Sequence, residues 1–326
     1  MNRGRAGAAL TTEFTPGSDT RQRGSVVTKK RVLSIAGVAM LGLFILASLL
    51  VWNRFFRSPS VDLLPLPDNL IALESSVGKK FLAESEFVAD YQELMASFVA
   101  QSRPAYCGVA TSVIALNALR SPGPPLDQST FFNVTARQVK DPLRVSLTGM
   151  SLRQLGDLLR AHGADASVVY ASDTDIDSFR SVAQRNLMTD GDFLLVNYQR
   201  AELGQVEMGH ISPLAAYHAG ADRFLILDVA AYKYPSVWVS TKELWNAMGA
   251  PVGSSPRTRG FIVVREGALT RSASLSVSES VSVRNDDVEM KEIPPGLPDP
   301  PSIESRRIDS SFTPSRSQRA EQDQVG

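Results

Sequence analysis

The sequence predicts an α+β domain with an antiparallel sheet, preceded by one transmembrane helix. Apolar residues recur at helical spacing mainly in the first half of the chain, and short strand-like runs dominate the second half. Those runs follow one another without helices between them, which favours antiparallel pairing. Near the N-terminus, one uncharged apolar run is long enough to cross a bilayer.

The apolar run covers residues 32–52 and ends on Trp52. A helix of this length spans a hydrocarbon core of roughly 30 Å. A cleaved signal peptide is the alternative, but its apolar region is usually about 7–15 residues long, and no small-residue cleavage motif follows this one. Basic residues before the run place the N-terminus in the cytoplasm and the rest in the periplasm, lumen or exterior, although Arg54 and Arg57 weaken this bias.

Composition divides the remaining chain into four parts. We expect residues 1–31 to be a disordered basic cytoplasmic arm and residues 53–63 to be a linker. Residues 64–266 have the apolar content of one folded domain, and residues 267–326 form a Ser/Pro-rich tail that we expect to be disordered.

Charge and cysteine content exclude several classes of function. Of the 326 residues, 34 are Lys or Arg and 34 are Asp or Glu, so no global basic field favours nucleic acid as a partner. The single cysteine excludes an intrachain disulfide and a Cys-rich metal site, and no zinc-ligand spacing is present, so we expect no metal site.

Within the predicted domain, periodicity and capping signals place three helices and five strands. The predicted helices cover residues 84–100, 108–119 and 151–162, and the predicted strands cover residues 167–170, 193–198, 211–217, 224–229 and 260–264.

A candidate nucleophile precedes the second of these helices. In QSRPAYCGVATSVIALNAL, Cys107 lies where the helix dipole is positive, and amide dipoles or a nearby imidazolium would lower its pKa and populate the thiolate. Taken alone, a cysteine at a helix start is more often an inert small apolar residue.

A candidate base and its partner lie on one predicted hairpin, GHISPLAAYHAGADRFLILDVA. If the turn is centred on Gly220, Ser212 is opposite Asp228, and His210 is diagonal to Asp228 on the same face. A carboxylate at one imidazole nitrogen would leave the other free to take a thiol proton. The alternative is that His210 begins a strand and Asp228 ends one.

Gln101 precedes Cys107 by six residues and could donate a hydrogen bond to an oxyanion together with the N–H of Cys107, although it could also be an ordinary loop residue.

Five segments, in order, resemble the phytochelatin synthase family, in its short bacterial form: QSRPAYCGVAT, GMSLRQLGDLL, FLLVNYQRAELGQ, MGHISPLAAY and LILDVAAYKYPSVWV. The start, LPLPDNLIAL, is similar to the bacterial form as well. This resemblance implies a papain-like cysteine peptidase fold over about residues 64–265, with a Cys107–His210–Asp228 triad and Gln101 at the oxyanion position.

The resemblance also implies the substrate. Family members are glutathione gamma-glutamylcysteinyltransferases, which cleave the Cys-Gly bond of glutathione through a γ-glutamylcysteinyl-enzyme and pass the acyl group to water or to a second glutathione, giving phytochelatin. No built-in cofactor is implied, since heavy-metal ions such as cadmium are expected to act through glutathione thiolates. Arg259, Tyr106 and Asn197 are candidate substrate-binding residues, although Arg259 could equally be an ordinary surface arginine.

Three departures from the family pattern qualify this expectation. Ala231 stands where plant members have an arginine, the Cys-rich C-terminal domain of eukaryotic members is absent, and a membrane span is added. The first two departures favour hydrolysis of the acyl-enzyme over transfer to a second glutathione. The alternative function is a non-catalytic, membrane-anchored glutathione-binding or scaffolding module, and a general peptidase is a weaker alternative. For assembly, a homodimer is an open alternative.

Overall fold

The computed structural model describes residues 19–119, 125–253 and 255–267, and for residues 19–33, 255 and 256 it describes the backbone alone. The predicted tail therefore lies outside the described residues except for its first residue, as do residues 1–18 of the predicted arm.

The helices of the described residues lie mostly in the first two thirds of the chain. In chain order they are α1 Asp19–Phe55, α2 Ser76–Glu84, α3 Tyr91–Ala96, α4 Cys107–Leu119, α5 Val134–Val139, α6 Pro142–Thr148, α7 Leu152–Ala161, α8 Ile176–Asn186 and α9 Thr241–Gly249. The strands are β1 Ile71–Ala72, β2 Asp165–Tyr170, β3 Asp192–Gln199, β4 Gly209–His218, β5 Arg223–Ile226, β6 Val237–Ser240, β7 Pro251–Val252, β8 Ser255–Thr258 and β9 Gly260–Arg265.

Seven of these strands form one sheet in the order β1-β6-β5-β4-β3-β9-β2, and β7 and β8 form a separate hairpin. Every neighbouring pair in the large sheet is antiparallel. The predicted α+β class with an antiparallel sheet is therefore confirmed.

Helices cover both faces of the sheet, because alternate residues of its central strands are apolar on both sides. On β3, Leu195 packs in a core with α4 and α7, whereas Leu194 and Val196 pack in a second core with α8 and α9. The same alternation on β9 sends Ile262 to the first core and Phe261 to the second. Both cores hold the central strands rigidly, which fixes the side chains at the strand ends.

The helix that begins with the cysteine is apolar on all sides because it is buried on all sides. Its residues from Gly108 to Leu116 are buried in the first core. The hydroxyl of Thr111 donates a hydrogen bond to the carbonyl oxygen of Ile211 at 3.1 Å, which ties α4 directly to β4.

Two predicted elements are wrong in extent. The helix predicted at residues 84–100 is interrupted, because the carbonyl oxygen of Phe87 accepts from the N–H of Tyr217 and pairs this segment with the sheet. The strand predicted at residues 224–229 ends at Ile226, beyond which the chain leaves the ladder.

Helix α1 contains the predicted span. The segment Ser34–Phe55 has a mean hydropathy of 2.5, and its apolar 18-residue window is not buried by the rest of the chain. By length and composition it could cross a membrane, and a signal sequence would meet the same criterion. The helix begins at Asp19, so residues 19–31 of the predicted disordered arm are helical in this structure, since extending an existing helix costs little per residue.

Candidate active site

A cavity of about 650 Å³ opens beside the start of α4. Four of the residues singled out in the sequence line it: Cys107, Asn197, His210 and Arg259. They come from α4, β3, β4 and the start of β9, so the fold brings together residues that are far apart in the chain.

Cys107 is the first residue of α4 and is partly exposed to the cavity. As the first helical residue it has a backbone N–H without an intrahelical partner. A Cβ at Gly108 would come within 2.5 Å of the sulfur of Met150, so a larger residue there would displace that flexible side chain. The start of the helix therefore presents Cys107 to the cavity, with a backbone N–H that the helix itself does not use.

His210 and Asp228 are in direct contact, as the hairpin predicted. The His210 Nε2 and the Asp228 Oδ1 lie 2.9 Å apart, and both side chains are buried. Since an ionised carboxylate can only accept, Nε2 carries the proton and Nδ1 is left as the acceptor. An imidazole held in this tautomer beside a cysteine can act as a general base.

The strand pairing behind this contact contains a bulge that the sequence did not predict. Beyond the bulge, Leu214 pairs with Ile226, as predicted, but nearer the turn His218 pairs with Arg223. The extra residue is Ala215. The turn lies slightly later in the chain than predicted, and this extra residue restores the predicted pairing at Leu214.

Arg200 is a member of this site that the sequence reading missed. Its Nη2 donates to both carboxylate oxygens of Asp228, at 2.7 Å each, and it is almost fully buried. It also donates a short hydrogen bond to Gln205 and lies over the ring of Tyr234. The only signal was an arginine within QRAELGQ directly after a buried strand, which is also typical of a surface turn.

The electrostatics of the three groups follow from burial and from Arg200. Burial opposes ionisation of Asp228, but the charges of Arg200 and His210 hold its pKa well below its ordinary value. Burial and the charge of Arg200 lower the pKa of His210 to about 4, although Asp228 acts in the opposite direction. The imidazole is therefore neutral near pH 7, which is the form a base requires.

The pKa of the nucleophile differs from the sequence prediction. Burial raises the pKa of the Cys107 thiol, although backbone hydrogen bonds and the charge of Arg200 oppose this. The predicted lowering of this pKa is wrong, because desolvation outweighs the backbone hydrogen bonds and the charge of Arg200. A raised thiol pKa disfavours the thiolate, so a nucleophilic role for Cys107 would require a base to take its proton.

Besides Asp228, which lies behind His210, two of the predicted site residues do not line the cavity: Gln101 and Tyr106. Gln101 donates both amide hydrogens of Nε2 to the carbonyl oxygens of Arg103 and Pro104, at 2.9 Å each. Here it fixes the turn before the nucleophile, and an oxyanion role would require those bonds to be exchanged. Tyr106 is buried and accepts from Arg103, because a side chain at a helix start points back over the preceding turn.

The other two predicted substrate-binding residues do line the cavity. Arg259 is largely buried and donates to the carbonyl oxygens of Ala250 and Pro251, at 3.0 and 2.6 Å. Its orientation is therefore set by the loop before the β7–β8 hairpin. Asn197 is buried near the end of β3, where its partner on the neighbouring strand is Ile211.

No group of three or more His, Cys, Asp or Glu side chains that could hold a metal ion occurs among the described residues.

Comparison with known proteins gives a family model and several curated relatives. Residues 61–261 match the model described as Phytochelatin synthase. Glutathione gamma-glutamylcysteinyltransferase 1 of Lotus japonicus is 34% identical over 62% of this chain and 41% of its own length, and that of Triticum aestivum is 33% identical over 66% and 44%. The enzyme of the same name from Schizosaccharomyces pombe is 28% identical over 61% and 50%. The chain thus spans half or less of the length of these curated relatives.

One solved structure is also similar. Xylellain, a cysteine protease from Xylella fastidiosa, gives a TM-score of 0.35 at 11% identity, and covers 65% of this chain and 97% of its own.

Proposed function

We propose that this chain, which belongs to the phytochelatin synthase family, is a cysteine-nucleophile acyl-transfer enzyme that cleaves the Cys-Gly bond of glutathione. The observation that carries the proposal is one cavity lined by both Cys107 and His210, with the Nε2 of His210 held by Asp228. The curated relatives named glutathione gamma-glutamylcysteinyltransferase supply the substrate.

The reaction begins when His210 takes the thiol proton at Nδ1 and the sulfur of Cys107 attacks the cysteinyl carbonyl carbon. The carbonyl oxygen becomes an oxyanion, and the N–H of Cys107 is a donor in position to stabilise it. His210 then gives the proton to the amide nitrogen as the carbon–nitrogen bond breaks. Glycine leaves, and a γ-glutamylcysteinyl thioester remains on the enzyme.

The acceptor decides the product. Water gives γ-glutamylcysteine, and the amino group of a second glutathione gives phytochelatin. Ala231 lies in the loop after Asp228, where plant members of the family have an arginine, and we propose that water is the preferred acceptor here. Cadmium and related ions would enter bound to glutathione thiolates, which are the soft ligands these ions prefer.

Helix α1 would attach the enzyme to a membrane through Ser34–Phe55. From the basic residues that precede it, we propose a cytoplasmic N-terminus and an active site on the opposite side. Because Cys107 is the one thiol of the chain, labelling it with a membrane-impermeant maleimide in intact cells tests this orientation. Labelling only after permeabilisation would contradict it.

Glycine release by the purified full chain in detergent tests the activity. We expect release from glutathione by the unaltered enzyme and none by Cys107→Ala, with Arg57→Gln as a surface control that keeps full activity. Equal release by Cys107→Ala would rule out this nucleophile. Binding of glutathione without any release would instead favour a non-catalytic binding module.

A further inference from the structure

The end of helix α1 forms part of the wall of the active-site cavity. Arg54 and Phe55, in its last turn, line the same cavity as Cys107 and His210. Phe55 is half-buried there, whereas Arg54 remains exposed. The sequence predicted a linker at these residues. Their position at the cavity is visible only in the folded structure.

Several contacts hold this helix end against the domain. Phe56 is half-buried, and the guanidinium carbon of Arg103 lies 5.6 Å from its ring centre. Beyond the helix, the N–H of Asp62 donates to the carbonyl oxygen of Tyr232 at 2.8 Å, and the N–H of Leu64 to that of Lys233 at 3.0 Å. The segment that follows Arg54 is therefore held against the domain, which limits where the side chain of Arg54 can reach.

The cavity is cationic although the whole chain has no net charge. Among the described residues that line it there is no Asp or Glu, and the arginines are Arg54, Arg153, Arg257 and Arg259. Arg259 is engaged with backbone carbonyls, and Arg153 lies 3.8 Å from a carboxylate oxygen of Asp157. Within the described residues Arg54 forms no ion pair; its guanidinium lies 5.2 Å from the ring centre of Phe55.

We propose that Arg54 is a specificity-determining residue that binds a carboxylate of the substrate, so that the anchoring helix supplies part of substrate recognition. Its planar guanidinium can donate two parallel hydrogen bonds to a carboxylate. Glutathione has two carboxylates, one on the glutamate and one on the glycine that leaves. The identity of the substrate rests on the proposed function, whereas the anionic preference rests on the cavity itself.

The first test is kinetic and compares Arg54→Gln with Arg57→Gln in the full chain in detergent. Arg57 lies in the segment just after α1 and donates to Asn53, but it is not among the cavity-lining residues. Because Arg54 is exposed to solvent, a charged hydrogen bond from its guanidinium should have roughly a 3–10-fold effect on substrate binding. We expect Arg54→Gln to raise KM for glutathione by that factor with kcat unchanged, and Arg57→Gln to change neither.

Substrate analogues identify the contact. With the glycine carboxylate or the glutamate carboxylate converted to an amide, the unaltered enzyme and Arg54→Gln should have equal KM for one of the two analogues. A KM increase that persists with both analogues, or that Arg57→Gln reproduces, would overturn the proposal.

The second test needs no turnover of glutathione. Because Cys107 is the sole thiol, its alkylation can be followed by mass spectrometry with 3-maleimidopropionate and with the neutral 3-maleimidopropionamide. At low ionic strength the anionic reagent should react faster than the neutral one in the unaltered chain and in Arg57→Gln. The ratio of the two rates should fall about threefold or more in Arg54→Gln.

An unchanged ratio in Arg54→Gln would overturn the inference even if glutathione is a substrate. Conversely, a chain that releases no glycine but shows the expected ratios would refute the proposed function while supporting the anion-binding role of Arg54.

Discussion

Replacing Arg200 with methionine should destabilise the fold far more than an equivalent change at the surface. The side chains of Arg200 and Asp228 are 1% and 0% exposed, so the methionine variant leaves a buried carboxylate without its bidentate partner. Breaking a buried ion pair from one side typically costs about 3–5 kcal/mol. For a domain of this size, that corresponds to a decrease in Tm of roughly 6–20 °C.

Arg180→Met is the matched control. Arg180 also donates two hydrogen bonds to one carboxylate, that of Asp222, at 3.1 Å each, but these side chains are 26% and 46% exposed. Solvent can replace such a pair, and the expected loss is about 1 kcal/mol or less. Thermal unfolding of both variants, followed by tryptophan fluorescence, gives the comparison directly, since Trp238 is fully buried.

The Arg200→Met substitution should also shift the acidic limb of the pH–activity profile. Burial and the charge of Arg200 keep the pKa of His210 low, so removing that charge raises this pKa. His210 acts as a base only when neutral, and the acidic limb of kcat/KM should therefore shift to higher pH. Arg200→Lys retains the charge and should shift this limb less. Equal destabilisation of the Arg200→Met and Arg180→Met variants, together with an unmoved limb, would refute the assigned role of Arg200.

Three further results are expected. Alkylation of Cys107 by iodoacetamide should be slow near pH 6 and rise through the alkaline range, because burial raises its pKa; fast labelling at pH 6 would show an activated thiolate instead. Stability should decrease as the pH falls from about 6.5 towards about 4, because the unfolded chain binds a proton that buried His210 does not, and His210→Gln should flatten this decrease; an unaltered profile in that variant would contradict it. Asp228→Asn should lower kcat by up to about 10⁴-fold through the wrong imidazole tautomer, measured as glycine release, and a loss below about tenfold would argue against an orienting role.

Local patterns were sufficient for the elements that position the nucleophile and the base. Ser151 was predicted to begin a helix, and it caps α7 through a capping box with Gln154. The contact between His210 and Asp228 followed from the period of a strand, which places alternate residues on one face. Such features depend on neighbours in the sequence or across one turn.

Features that depend on distant parts of the chain were not predicted. Arg200 is recognisable as part of the site only when the fold brings it to Asp228. The raised pKa of Cys107 reflects burial by several elements, which no local motif reports. Arg54 reaches the cavity because the segment after α1 pairs with the loop that follows β5, a contact between remote segments.

The central claim is that the sulfur of Cys107 carries the γ-glutamylcysteinyl group during turnover. Acid quenching of the full chain a short time after mixing with glutathione, followed by digestion and mass spectrometry, tests this claim directly. We expect a γ-glutamylcysteinyl thioester on the peptide that contains Cys107, and none in Cys107→Ala. Glycine release with no such adduct at any time, or an adduct on a different residue, would contradict it.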